Sequence, residues 1–289
     1  METNSVITRK LTNLSLLPSI STAFTSIHRK TLNITFENGD YPERIFGKMI
    51  EKANFDPKLL IANLIRSDLR VIDERLDILN KLDDEEKSIA LSLNKVLIHD
   101  PLKASIRESF TNNFVALLLN KLDFNKYPLS VNIQPKYGFE AEGSKITSKP
   151  EFSVEMDDQI KIIFLDESRH LSNLKLATEF AECQIAAEML SVAFTNYSAA
   201  QSESLLKDQL VFAVRVIGSR FTFYKCAVGR AYLNALGEGS LNDTHKIVVY
   251  RYPPNDHKET LFGFDYSNVN HREIIIKDLV SLREHVKKV

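Results

Sequence analysis

The chain predicts a mixed α/β (α+β) fold, a sheet flanked by helices behind a helical N-terminal region, and three observations carry that expectation. Short runs at 129–134, 136–141, 150–156, 160–166, 209–216, 220–227 and 246–252 read as strands. One long stretch, 173–195, has helical length and splits those strands into two groups. Amphipathic stretches over 104–123 and 272–287 supply further helices to cover the faces of a sheet. The chain shows no internal repeat.

The length of 289 residues allows one large core or two modest ones, which suggests a tail over 1–34, a helical region over 35–102 and a second domain over 103–289. A formal net charge of −1 excludes a whole-chain basic signature, so contact with DNA or RNA requires a local basic patch. Cys183 and Cys226 stand alone without metal-ligand spacing, arguing against a disulfide or zinc framework. They fit an intracellular setting, nucleus or cytoplasm. No apolar run approaches the roughly 18 residues of a membrane span.

Residues 1–34 are rich in Ser and Thr and hold Arg9, Lys10, Arg29 and Lys30 against the single acid Glu2. That composition predicts a flexible tail, with a mitochondrial presequence as the alternative. Pro18 interrupts the apolar run too early for a secretory signal.

The region from Tyr41 to His99 reads as helical. Asp40 and Pro42 mark a helix start, and Ile45, Met49 and Ile50 form its stripe. A second helix is expected after Asp56-Pro57, with Leu60, Leu64, Leu69, Ile72, Leu76 and Leu79 on one broad face. The acids 83–86 begin a third, striped by Ile89, Leu93, Val96 and Leu97. Such a region is a helical packing unit or an adaptor surface for a protein partner. In 104–123, Ile106, Phe110, Phe114, Leu117 and Leu118 are apolar, and Glu108 falls between two of these core-facing positions.

The most informative stretch is 149–190. A mostly apolar strand ends abruptly in Asp166-Glu167-Ser168-Arg169, and alternation puts Asp166 with Ser168 on one face and Glu167 with Arg169 on the other. Glu151 precedes Asp166 by enough chain for two adjacent strands joined through Met156-Asp157-Asp158-Gln159. Carboxylates converging from neighbouring strands suit a hard cation such as Mg²⁺. Acids at strand ends are also commonly just solvated. In the helix, Phe180, Gln184, Glu188 and Val192 share an i, i+4 line, so the polar pair is expected to face the sheet. It would there support metal carboxylates or form a satisfied core pair.

Lys149-Pro150-Glu151-Phe152, the strand ending Leu165-Asp166-Glu167-Ser168-Arg169, and the helical 184–190 together resemble the PD-(D/E)XK, or restriction-endonuclease-like, superfamily, and within it fungal Crinkler-type nuclease-like domains. The resemblance covers roughly 104–289, including later strands at 209–218 and 221–225 and the closing helix around Arg272. It implies Mg²⁺ or Mn²⁺ held by Glu151 and Asp166, with Glu167 at the following acid, Ser168 or Arg169 near the catalytic base, Gln184 as support, and Glu108 as a further acid.

Two departures from the family pattern bear on chemistry. Glu151 replaces an aspartate, moving its carboxylate by one methylene, and Ser168 occupies the place of the lysine. A serine supplies only an uncharged hydrogen bond to the transition state, and Arg169, permanently charged, would stabilise charge but serve poorly as a base.

Downstream, Arg215, Arg220, Lys225, Arg230 and Arg251 mix with Phe221, Phe223, Tyr224 and Tyr250, a combination that either tracks a nucleic-acid backbone or divides into surface cations and core aromatics. His170 is a candidate phosphate contact or a solvated loop residue. Gly237-Glu238-Gly239 lacks the lysine of a phosphate loop, and no serine elbow, metalloprotease helix or dinucleotide fingerprint occurs. The expected function is nucleic-acid binding with metal-dependent phosphodiester hydrolysis. The alternative is a catalytically inactive nuclease fold serving as a protein-interaction module.

Overall fold

The computed structural model describes residues 14–47, 54–99, 108–166, 174–200, 207–256 and 259–288, with backbone alone at 62, 63, 108, 166 and 174–181. The N-terminal elements are α1 (Ser26–Thr31), β1 (Ile34–Asn38), α2 (Glu43–Phe46), α3 (Arg66–Arg70), α4 (Leu76–Leu79), α5 (Asp84–Ile98) and α6 (Glu108–Lys121). Five strands follow, β2 (Ser130–Ile133), β3 (Tyr137–Ala141), β4 (Ser144–Ser148), β5 (Phe152–Met156) and β6 (Gln159–Asp166), and then α7 (Leu174–Ala199). The chain continues through β7 (Gln209–Ile217), β8 (Arg220–Val228), α8 (Arg230–Gly237), β9 (Ile247–Tyr252), β10 (Phe264–Asp265) and α9 (Val269–Val286).

One large mixed sheet carries the fold, in the order β1-β9-β8-β7-β6-β5-β2, with β10 beside β8 and a separate β3–β4 hairpin. The expected α/β class is therefore the observed one. The β6–β7 and β1–β9 pairs are parallel, and the other pairs in the sheet are antiparallel. Parallel neighbours cannot be joined by a tight turn, and α7 provides the crossover between β6 and β7. The β5–β6 hairpin turns on Asp157 and Asp158, both at positive φ (52° and 59°), between the paired Met156 and Gln159. Two central residues at positive φ give the twist that a two-residue hairpin needs, and Asp tolerates it better than most side chains.

Strand alternation divides the sheet into two apolar faces. Phe152, Val154, Ile162, Phe164, Phe212, Val214, Val216 and Phe223 pack with α2, α5, α6 and α9. Ile163, Leu165, Val211, Ala213, Tyr224, Cys226 and Val249 face the other way, against α7 and α8. In α5, Ile89, Ala90, Leu93, Val96 and Leu97 are buried as the stripe predicts. Its start is a capping box: the Asp83 carboxylate accepts from the Glu85 and Glu86 amides, and Glu86 accepts from the Asp83 amide.

The structure corrects three expectations. Residues 57–79 do not form one helix; a 3-10 segment (Pro57–Asn63) is followed by the short α3 and α4. Backbone carbonyls there are claimed by distant groups, since the Tyr266 hydroxyl donates to Leu59 O and the Arg272 guanidinium donates to Leu60 O and Leu64 O. Residues 14–34, expected as a flexible tail, are packed, with Leu14, Leu17, Phe24 and Leu32 in the same apolar cluster as α7. The cause is visible in α7, where Cys183, Ile185, Ala186, Ala187, Met189, Leu190, Val192 and Ala193 are buried around the helix. A helix with buried apolar residues all around it must be covered on the side away from the sheet. Thirdly, the region expected to be helical before residue 102 also contributes β1, which pairs with β9 from Ile34↔Ile247 to Asn38↔Arg251.

Candidate functional site

The acid-bearing edge is set by the β5–β6 pairing. Phe152 lies opposite Phe164, and the Glu151 amide donates to Phe164 O at 3.1 Å, bringing the 149–152 motif alongside the end of β6. The Gln134 amide in turn donates to Glu151 O at 2.8 Å, fixing that residue from its other side. Glu151 is half-buried and lines a small crevice with Thr111, Asn112 and Val115 of α6 and with Phe152, Phe164, Leu165 and Val216. Glu108 stands one helical turn before Thr111 and Asn112 in α6. Asp166 ends β6, its backbone in register with Val216 of β7. Glu167, Ser168, Arg169 and His170 lie outside the described residues. The strand pairing thus brings the Glu151 and Asp166 segments together. Among the described residues, no group of three or more His, Cys, Asp and Glu side chains is arranged to hold a metal ion.

The helix motif has a different neighbour from the one expected. Gln184 Nε2 donates to Glu188 Oε1 at 2.9 Å, and Ser21 Oγ donates to the same oxygen at 3.1 Å. Glu188 is only 1% exposed, so these bonds hold a carboxylate inside the cluster shared by α7 and the N-terminal segment. Gln184 therefore reaches the metal-ligand candidates through no bond that the described residues make; its bond is with Glu188.

The downstream cations do not form one exposed track. Arg215 and Arg251 are each 1% exposed, Arg220 is largely buried beside Asp265, Lys225 lies against Phe212, and Arg230 is exposed. Register explains the burial: Arg215 pairs with Thr222 and Arg251 with Tyr224, so both arginines stand on the α7 side of the sheet. Arg251 Nη1 donates to Glu182 Oε1 at 3.3 Å and its Nη2 to Leu261 O at 2.8 Å. Arg215 Nη2 donates to Thr222 Oγ1 at 3.3 Å, and its guanidinium carbon lies 5.9 Å from the Tyr224 ring centre.

Burial pushes the Glu182 carboxyl up, against the pull of Arg251, Arg29 and Arg215; burial likewise lowers the Arg251 guanidinium. Sequence reasoning missed Glu182 and Arg29 as members of this group. A signal was present for the arginines, because Arg215 interrupts the buried run of a central strand.

No helix among the described residues is long and apolar enough to cross a membrane. No family model and no curated protein matches the chain.

Proposed function

We propose that this chain is a restriction-endonuclease-like, nucleic-acid-binding domain whose chemistry, where retained, is Mg²⁺- or Mn²⁺-dependent phosphodiester hydrolysis at Glu151 and Asp166. The observation carrying this reading is the β5–β6 pairing: the Glu151 amide bonds to Phe164 O, two residues before Asp166, and α7 then crosses over to the parallel β7. Glu108, one turn from two residues of the Glu151 crevice, supports it as a third acid. The donor chemistry fits a hard cation, since carboxylate oxygens are what Mg²⁺ prefers. When bound, the ion would polarise the scissile phosphate and activate water. Glu151 and Asp166 would hold it, Glu167 would add negative charge nearby, and Ser168 would donate a neutral hydrogen bond. Arg169 would bind a phosphate oxygen without accepting a proton.

The inactive-scaffold reading is favoured by Ser168 in the lysine position and by Gln184, which spends its amide on Glu188. One experiment separates the two. Labelled single- and double-stranded DNA and RNA are incubated with Mn²⁺ and wild type, Asp166→Ala or Ser168→Lys. Cleavage by wild type that Asp166→Ala abolishes is the expected result for a working site. Cleavage only by Ser168→Lys identifies a scaffold that lost its chemistry at one position. Inactivity of all three refutes the hydrolytic reading.

A further inference from the structure

We infer that Arg215 and Arg251 form a buried binding site for a phosphate group, between α7 and the β7-β8-β9 part of the sheet. A guanidinium carries five N–H donors, and removing it from water is costly unless most of them and its charge are compensated. Arg215 has little of that compensation among the described residues: it shares the Glu182 carboxylate's attraction with two other arginines and lies over the Tyr224 ring. Its hydrogen bond goes to a neutral hydroxyl, Thr222 Oγ1, its Nε has no partner, and no carboxylate pairs with it. Arg251 shares Glu182 and the Leu261 carbonyl but also leaves Nε without a partner. Arg29, over the Phe36 ring at 5.4 Å, adds a third cation acting on the same Glu182 carboxylate, and its Nε is likewise unpartnered.

Three guanidiniums around one carboxylate leave an excess of positive charge in a largely dry place. A tetrahedral dianion with several acceptor oxygens is the ligand that satisfies both the charge and the open donors.

Position adds to the chemistry. Arg215 lies two residues from the end of β7 and in register with Leu165, the residue before Asp166, on the parallel strand β6. In open sheets the carboxyl ends of parallel strands joined by a crossover helix are where ligands collect. Arg251 reaches the same group because Tyr224, its cross-strand partner, alternates with Thr222, the partner of Arg215, on one face of β8. This inference deepens the nucleic-acid reading by naming the anion, but it requires neither metal nor turnover.

The test is thermal unfolding and titration calorimetry of the full chain in EDTA at constant ionic strength. The probes are inorganic phosphate, a nucleoside 5′-monophosphate, an oligonucleotide with or without a 5′-phosphate, and acetate. Binding should raise Tm in proportion to the logarithm of phosphate concentration, by about 5–10 °C at a hundredfold excess over Kd. Arg215→Met should lose that response and, without phosphate, melt no lower than wild type, because it removes an unpaired buried charge. Preference for the phosphorylated oligonucleotide would place the anion on nucleic acid; a response to inorganic phosphate alone would keep the site but refute the nucleic-acid reading. The inference is overturned if wild type shows no calorimetric binding of any phosphate probe, if acetate matches phosphate, or if Arg215→Met responds like wild type. The wild-type titrations decide the matter even if the variant fails to fold.

Discussion

Arg272 offers the sharpest test of how α9 is joined to the segment 57–70. It lies in the first turn of α9, 1% exposed, and donates from Nε to Tyr266 O and from Nη2 to Leu64 O, both at 2.9 Å, and from Nη1 to Leu60 O. Arg272→Met keeps much of the stem and removes every donor. A hydrogen bond from a charged group contributes about 1.5–3 kcal/mol net. Three do not simply add, because the cost of burying the guanidinium is recovered and the Leu60 and Leu64 carbonyls can turn to water. The expected loss is about 3–5 kcal/mol, the size seen when a buried charged network is broken. Against a total of about 5–15 kcal/mol that is a large fraction, equivalent to about 10 °C in Tm.

Urea unfolding followed by circular dichroism measures the loss, and hydrogen exchange locates it. Amides of 57–70 should lose protection while those of β7 keep theirs. Arg272→Lys, with one compact ammonium in place of a fork, should recover less than half. A variant within about 1 kcal/mol of wild type, or an equal loss with unchanged exchange over 57–70, would refute the assignment of Arg272 as the clamp on that segment.

Two further perturbations follow from single residues. Asp278 on α9 is 2% exposed with Oδ2 unpartnered, and burial, aided by Glu43, raises its carboxyl well above the usual range. A raised folded-state value means that folding favours the protonated form, so its contribution is complete below the unfolded value of about 4 and declines as pH rises toward the folded one. Asp278→Asn should therefore add about 1–3 kcal/mol at neutral pH and flatten that decline, read from urea unfolding between pH 4 and 8; an unchanged slope would count against it. Gly263 has φ of +100°, and a Cβ there would meet the Phe221 carbonyl oxygen at 2.2 Å. Gly263→Ala should destabilise by more than about 3 kcal/mol as β8 and β10 separate, and a wild-type Tm would show that the approach relaxes freely.

Local patterns made much of this fold legible. The β5–β6 hairpin, β7, β8 and β9 were readable because alternation and turn residues lie within a few positions of one another, and α5 because its cap and stripe do. The adjacency of Glu151 and the end of β6 follows from that hairpin alone. What escaped depends on distant partners. The breakup of 57–79 is imposed by Tyr266 and Arg272, more than 200 residues away, and Glu188 is satisfied by Ser21 across 167 positions. The packed N-terminal segment had one sequence signal, the dense apolar run from Cys183 to Phe194, in which only Gln184, Glu188 and Ser191 are polar. Arg215 and Arg251 were singled out correctly as cations on strands, but their faces could be known only once register placed them under α7.

The pairing of β1 with β9 bears on how the molecule is assembled. Thr35 and Ile247, linked by the Thr35 hydroxyl to the Ile247 carbonyl, are 212 positions apart, so the earlier strand waits for a partner made much later. Contacts of such separation form slowly, and until this one forms the growing sheet presents β9 as an open template to other chains. The earlier strand of the pair therefore acts last, as the guard on the sheet's margin. A preparation trimmed to residues 103–289 would lack that guard and the cover over α7, and self-association would be its characteristic failure.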